Sequence, residues 1–166
     1  MPDLNKNDMS AAIRGAVEKY FKSEKTKYHP FDKHNVARAT YVVETKFGHV
    51  EVFFFAYKDM LILQFMIPLK AGEEERAKVG EFLLRANYGL KIGGFDFDFE
   101  DGEISYRVPI YCGVDEFLPP THEQIDAALS IGLMMVDRYG DALVKVMFGL
   151  AEPDDAVAAA EEDEIA

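Results

Sequence analysis

Apolar positions recur every three to four residues across residues 8–23. Met9, Ile13, Val17, Tyr20 and Phe21 share one side, with Arg14, Glu18 and Lys22 opposite, which is the pattern of an amphipathic helix. The pattern stops in KSEKTKYHPFDKHN, residues 22–35, a polar stretch broken by Pro30; this predicts an exposed connector. Three strands are predicted next, over residues 40–46, 50–57 and 60–69, the last two joined by a tight turn at Lys58-Asp59. Both sides of the last two strands are apolar. Val52, Phe54, Leu61, Leu63, Phe65 and Ile67 fall on one face, and Phe53, Phe55, Tyr57, Met60, Ile62 and Met66 on the other. A sheet with one solvated face alternates apolar with polar, so this pattern predicts cover on both faces.

A second helix starts near Glu73, where three glutamates occupy the first turn and the helix dipole favours anions. Val79, Phe82, Leu83, Ala86 and Leu90 keep helical spacing, and Gly89 suits a left-handed C-terminal cap. Then comes GGFDFDFEDGEISYRVPI, residues 93–110. A two-residue turn at Asp101-Gly102 pairs Phe99 with Ile104, Phe97 with Tyr106 and Phe95 with Val108 on one face, and Asp96 with Arg107 on the other. Burial of the aromatics decides that register, at about 1.5–3 kcal/mol each, and an exposed Asp–Arg pair adds about 0.2–1 kcal/mol. Pro109 cannot donate to a ladder, which predicts a sheet edge there. Pro119-Pro120 lead into a third helix with capping-box spacing at Thr121 and Gln124. Its core face is Ile125, Leu129, Val136, Tyr139, Leu143, Val146 and Leu150; Ile131, Met134 and Met135 make a second apolar flank; Gly132 and Gly140 allow bending or close packing.

The order α-β-β-β-α-β-β-α implies an α+β domain over residues 1–150, with an antiparallel five-stranded sheet. Residues 151–166, small and acidic, read as a disordered tail. Formal net charge is −12. Seven of the 30 acids and none of the bases lie after Leu150, which leaves −5 for residues 1–150. An acidic body without a basic stripe argues against nucleic acid and anionic membrane as partners. The start MPDLNKND has no apolar segment of the signal-peptide kind, and the longest apolar run is too short to span a bilayer. Both imply a cytoplasmic location.

Candidate chemistry is sparse. Asp96, Asp98, Glu100 and Asp101 resemble a cation cage, but a calcium loop started at Asp96 puts Asp101 where glycine is needed and Arg107 where the bidentate glutamate belongs. His122-Glu123 has Asp126 where a zinc motif needs its second histidine. Cys112 is the single cysteine, and one cysteine makes neither a disulfide nor a cysteine zinc site. Asp137 and Asp141 stand one turn apart, a spacing open to acid–base work, yet Arg138 and Lys145 favour a solvated charged face. No nucleophile, base and oxyanion donor assemble. The expectation is therefore no catalytic residue, no metal and no cofactor.

Surplus apolar surface is what stands out. Phe53, Phe55, Ile62 and Met66 on the sheet, Val79, Phe82 and Leu83 on the second helix, and Ile131, Met134 and Met135 on the third are the candidate partner- or dimer-binding residues. Leu83 and Leu84, Asn87, Gly93-Gly94-Phe95, the Asp101-Gly102 turn and the strand through Pro109-Ile110 resemble the YbjN family of small bacterial proteins. The order of elements also resembles class I type III secretion chaperones of the CesT/Tir type. Those are acidic, dimeric and catalytically inert, and bind an extended client across apolar patches. The resemblance implies a non-enzymatic, chaperone-like or regulatory protein-binding module that forms a homodimer. It carries over no catalytic residue, and Asn87, which matches the family's recurrent asparagine, would act as a helix C-cap. The alternatives are a small-molecule-sensing regulator on the same fold, or an enzyme whose site forms only in three dimensions. Melting curves recorded with calcium and with a chelator are expected to coincide; a rise of several degrees that tracks calcium concentration would restore the cation cage.

Overall fold

Among the described residues three helices lie on one face of a single antiparallel sheet with a fourth packed on two of them, and the other face carries none of the described helices. The computed structural model describes residues 8–113 and 116–162. In chain order these form α1 (Ser10–Ser23), β1 (Val36–Val42), β2 (His49–Ala56), β3 (Met60–Met66), a 3₁₀ turn (Glu73–Glu75), α2 (Arg76–Asn87), β4 (Gly94–Phe97), β5 (Ile104–Tyr111), α3 (His122–Met147) and α4 (Pro153–Glu162). The strands are ordered β1-β2-β3-β5-β4.

Period-two alternation sorts the strands. Val52, Phe54, Leu61, Leu63, Phe65, Ile104, Tyr106 and Val108 point into the core with Ala37 and Ala39. The helices close over them with Ile13, Val17 and Phe21 from α1, Val79, Phe82 and Leu83 from α2, and Ile125, Val136, Tyr139 and Leu143 from α3. Phe21 meets Phe54 edge-on at 4.8 Å, and Phe95 meets Tyr139 at 5.7 Å. Gly132 lets α3 come down onto the sheet, since a Cβ there would overlap the Phe65 ring; at Gly140 it would overlap Thr45. Leu150, expected in the α3 core face, is instead 76% exposed beyond the helix end.

The capping box forms as expected: Gln124 N–H donates to Thr121 Oγ1 at 3.1 Å, and Thr121 N–H to Gln124 Oε1 at 2.9 Å. The 93–110 hairpin forms in a different register. Phe95 faces Tyr106 and Phe97 faces Ile104, a slip of two residues. An even slip keeps every side chain on its predicted face. The reason is the turn, which is longer than two residues. Gly102 N–H reaches back to Asp98 O, Asp98 Oδ1 accepts from Glu100 N–H, and Asp101 Oδ1 accepts from Glu103 N–H. Phe99 sits in this turn, over Gly80 of α2. The first strand also begins and ends four residues earlier than expected, because residues 43–48 form the turn into β2, closed by Gly48 N–H to Thr45 O. The 22–35 connector is less exposed than expected: Tyr28 stacks on Phe21 at 4.4 Å, and His29 bridges Arg38.

The acidic end is the largest correction. Of residues 151–166, Pro153–Glu162 form a helix that packs on α2 and α3, burying Pro153, Ala156 and Val157; residues 163–166 lie outside the described residues. Asp154 and Asp155 occupy its first turn, where anions are stabilising. Lys78 Nζ reaches Glu152 at 3.0 Å, and Tyr139 Oη donates to Glu161 Oε1 at 2.9 Å. Composition misled because alanine and charge also make a good surface helix, and one small apolar stripe is enough to seat it. Ending the chain at Leu150 should cost about 2–4 kcal/mol in buried area and lower Tm by roughly 5–10 °C, read by calorimetry. An unchanged Tm would mean that the α4 contact contributes nothing.

Candidate functional site

Most of the acidic and reactive side chains singled out by the sequence hold the fold together. Asp137 Oδ1 accepts from Glu44 N–H at 2.7 Å, and Asp141 Oδ1 from Lys46 N–H at 2.8 Å. The two carboxylates one turn apart thus pin the β1–β2 turn to α3, beside the close approach at Gly140. Within the acidic hairpin, Asp96 pairs with Arg107 through both carboxylate oxygens at 2.8 and 3.0 Å. Asp101 pairs with Lys70 at 2.7 Å, and that bond lowers the Asp101 carboxyl below its ordinary range. Among the described residues no three His, Cys, Asp or Glu side chains group around a possible metal position. His122 Nε2 lies 2.8 Å from Glu24 and its ring against Tyr20, tying α3 to α1. Cys112 is buried, and burial pushes its thiol up, away from the thiolate a nucleophile needs.

The candidate apolar residues separate into three groups. Val79, Phe82 and Leu83 are fully or almost fully buried under α3 and α4, and Met135 is buried with them. The expectation that α2 projects a binding patch is therefore corrected: helical spacing marks an apolar side without saying what covers it, and here the chain's own helices do. Phe53, Phe55, Ile62 and Met66 form the second group, half-buried by their neighbours on the bare sheet face and separate from the core. Ile131 and Met134 form the third, on the outer flank of α3, with Met134 56% exposed.

Register defines the bare face in rows. Val36, Phe55, Ile62 and Pro109 stand side by side across four strands, an unbroken apolar row. Met60 and Tyr111 extend it at one end, next to Tyr57. Along β2 the rings of Phe53, Phe55 and Tyr57 stack at 6.1 and 6.2 Å. The following rows turn polar: Arg38, Phe53, Gln64 and Arg107, then Thr40, Glu51, Met66, Ser105 and Asp96. Arg38 pairs with Glu51 at 2.9 Å, and Arg107 with Asp96, so the charges of these rows cancel. Val36 and Arg38 were out of view in the sequence because the first strand is expected four residues late. Pro109 and Tyr111 were visible only as a strand end.

The third group lines a groove. β4 stops at Gly94, opposite Arg107, so β5 runs on through Pro109 without a neighbour on that side, as proline requires. Beside this free edge are two open hollows of about 350 and 320 Å³ that meet at Ile92 and Ile131; Leu90, Met134, Ala127 and Tyr111 complete the apolar wall.

Three signature positions explain how that edge is built. The Asn87 amide donates to Phe95 O at 3.0 Å and accepts from Phe95 N–H at 2.7 Å. It acts as a side-chain neighbour for the edge strand β4, not as the expected helix cap. Gly93 has φ 74°, and a Cβ would collide with Arg107 O. Gly102 has φ 82° and lies against Ala71, whose N–H donates to Gly102 O at 2.9 Å. A family model matches residues 14–145: YbjN, described as "Putative bacterial sensory transduction regulator". The chain belongs to the YbjN family. No curated protein matches it. The YbjN match ends within α3, so α4 lies beyond it. No described helix of this YbjN chain is long and apolar enough to cross a membrane. Asn87→Ala should leave the Phe95 backbone pair unsatisfied and cost about 1–3 kcal/mol, with Asn87→Asp between it and the parent; urea denaturation measures both, and an Asn87→Ala midpoint equal to the parent's would remove the edge-strand role.

Proposed function

We propose that this chain is a non-enzymatic protein-binding module of the regulatory, chaperone-like kind. One observation carries the reading: a whole face of the sheet is bare of the described helices, yet holds a continuous apolar row and an aromatic stack. Soluble chains rarely leave such a patch without a partner. The reactive side chains support the same reading, since Asp96, Asp98, Asp101, Cys112, His122, Asp137 and Asp141 are engaged in pinning turns, pairing strands, tying helices together or filling the core. The family description as a regulator agrees with it. The module pairs with a second copy through one apolar surface and receives a protein partner on the other. The groove beside β5 suits an extended segment, which can add to a free strand edge while its side chains enter the hollows.

Native capture with wild-type, Phe55→Asp and Met134→Asp protein tests this. A genuine partner is retained stoichiometrically by the wild type and weakened about 30-fold or more by one of the two changes, the loss typical of a central apolar anchor, while Tm stays near the parent value. Retention that ignores both substitutions would exclude an apolar binding surface.

A further inference from the structure

We infer that the seat of α4, between α2 and α3, is a docking cleft for an acidic amphipathic helix of a partner protein, and that α4 is its built-in occupant. The partner helix enters only where α4 has left. This cleft is separate from the bare sheet face and from the groove beside β5. The family match spans both of its walls, α2 and α3 through Lys145, and not the helix that fills it.

Seating comes first. α4 meets α2 and α3 through Pro153, Ala156 and Val157, with Ala160 half-buried one turn on. This spacing of three, four and seven residues is how a single helix anchors in a groove. Two polar links complete the contact, Lys78 to Glu152 and Tyr139 to Glu161. Ten residues are too few for a helix to persist alone in water, so α4 docks and undocks as one unit. A contact of this size leaves it undocked in roughly one molecule in 30 to one in 1,000 while the rest of the fold stays closed.

Fit comes second. An open hollow of about 570 Å³ lies between α3 and α4, lined on the α4 side by Ala156, Ala159 and Ala160. Another of about 300 Å³ lies between the end of α2 and α4, beside Val157 and Ala158. Alanine thus underfills the cleft, and a helix with leucine or methionine at such positions buries more area in it.

Charge comes third. The chain as a whole is at −12, yet Lys78 and Arg85 of α2 and Lys145 of α3 border this cleft. Arg85 is paired with Glu81, while Asp137 and Asp141 each give an oxygen to a backbone N–H of the β1–β2 turn. Lys78 is turned towards α4, which answers with Glu152. A partner helix with carboxylates near both ends reproduces the two polar links that α4 makes; a basic one meets Lys78 with like charge.

Hydrogen exchange and a peptide titration on the full chain test the inference. Amides of residues 156–162 should exchange together, at least about 10-fold faster than those of residues 136–143 in α3. The probe is a fluorescein-labelled peptide of residues 151–162 carrying Ala160→Leu, followed by polarisation. It should bind full-chain Val157→Asp at least about 30-fold more tightly than the wild type, because the competing helix is unseated. Glu152→Ala combined with Glu161→Ala, which removes only the two polar links, should tighten binding about 3-fold. The same peptide with Glu152→Lys and Glu161→Lys should bind about 10-fold more weakly. Equal affinity for wild type and Val157→Asp, no binding to either, equal binding of the lysine peptide, or α4 amides as slow as those of α3 overturns the inference. Met134→Asp should leave the peptide affinity unchanged; a loss would place the peptide in the groove beside β5 and overturn the cleft. Failure at Val157 leaves the surfaces tested through Phe55 and Met134 standing.

Discussion

The contact on which the structure depends is the one between Gly132 and Phe65. With no side chain at Gly132, the axis of α3 settles onto the sheet, and the Phe65 ring fills the space a Cβ would take. Gly140 does the same two turns on, against Thr45 and Phe47, where Asp137 and Asp141 hold the adjoining backbone. One long helix therefore covers β3 and β5, leaving α1 and α2 to cover the flanks and α4 to close over α2 and α3. Any larger residue at position 132 would lift α3 and open the core along its length. Placing every described helix on one side is also what leaves the far side of the sheet without helical cover among the described residues.

Much of this was legible. Amphipathic spacing located α1, α2 and α3, and capping chemistry fixed the start of α3 to the residue. Alternation assigned strand faces correctly, even where hairpin register slipped by two, because an even slip is invisible to a period of two. Three things were not legible. The turn at 98–103 is set by carboxylates that accept backbone N–H groups, and the same residues read as a short turn with a decorated rim. The fate of Val79, Phe82 and Leu83 depends on α4, whose alanine-rich acidic composition reads as disorder. The bare face was expected to be covered, since two-sided apolar strands predict cover without saying whether the chain itself supplies it.

The residues that carry the family resemblance are architectural. Asn87 completes an edge strand, Gly93 admits a close backbone, and Gly102 docks a turn against Ala71. They preserve a scaffold. The outward-facing Val36, Phe55 and Ile62 are not among them.

Strand order has a kinetic consequence. β1, β2 and β3 form a meander from neighbouring segments, and β4 with β5 forms a hairpin; both units are local and quick to close. Only the β3–β5 ladder joins them, across a loop of about 40 residues that contains α2. Phe65 lies on that ladder, opposite Tyr106, and it is also the seat of α3. The most distant strand pairing of the chain and the seat of its longest helix thus fall on the same strand, β3.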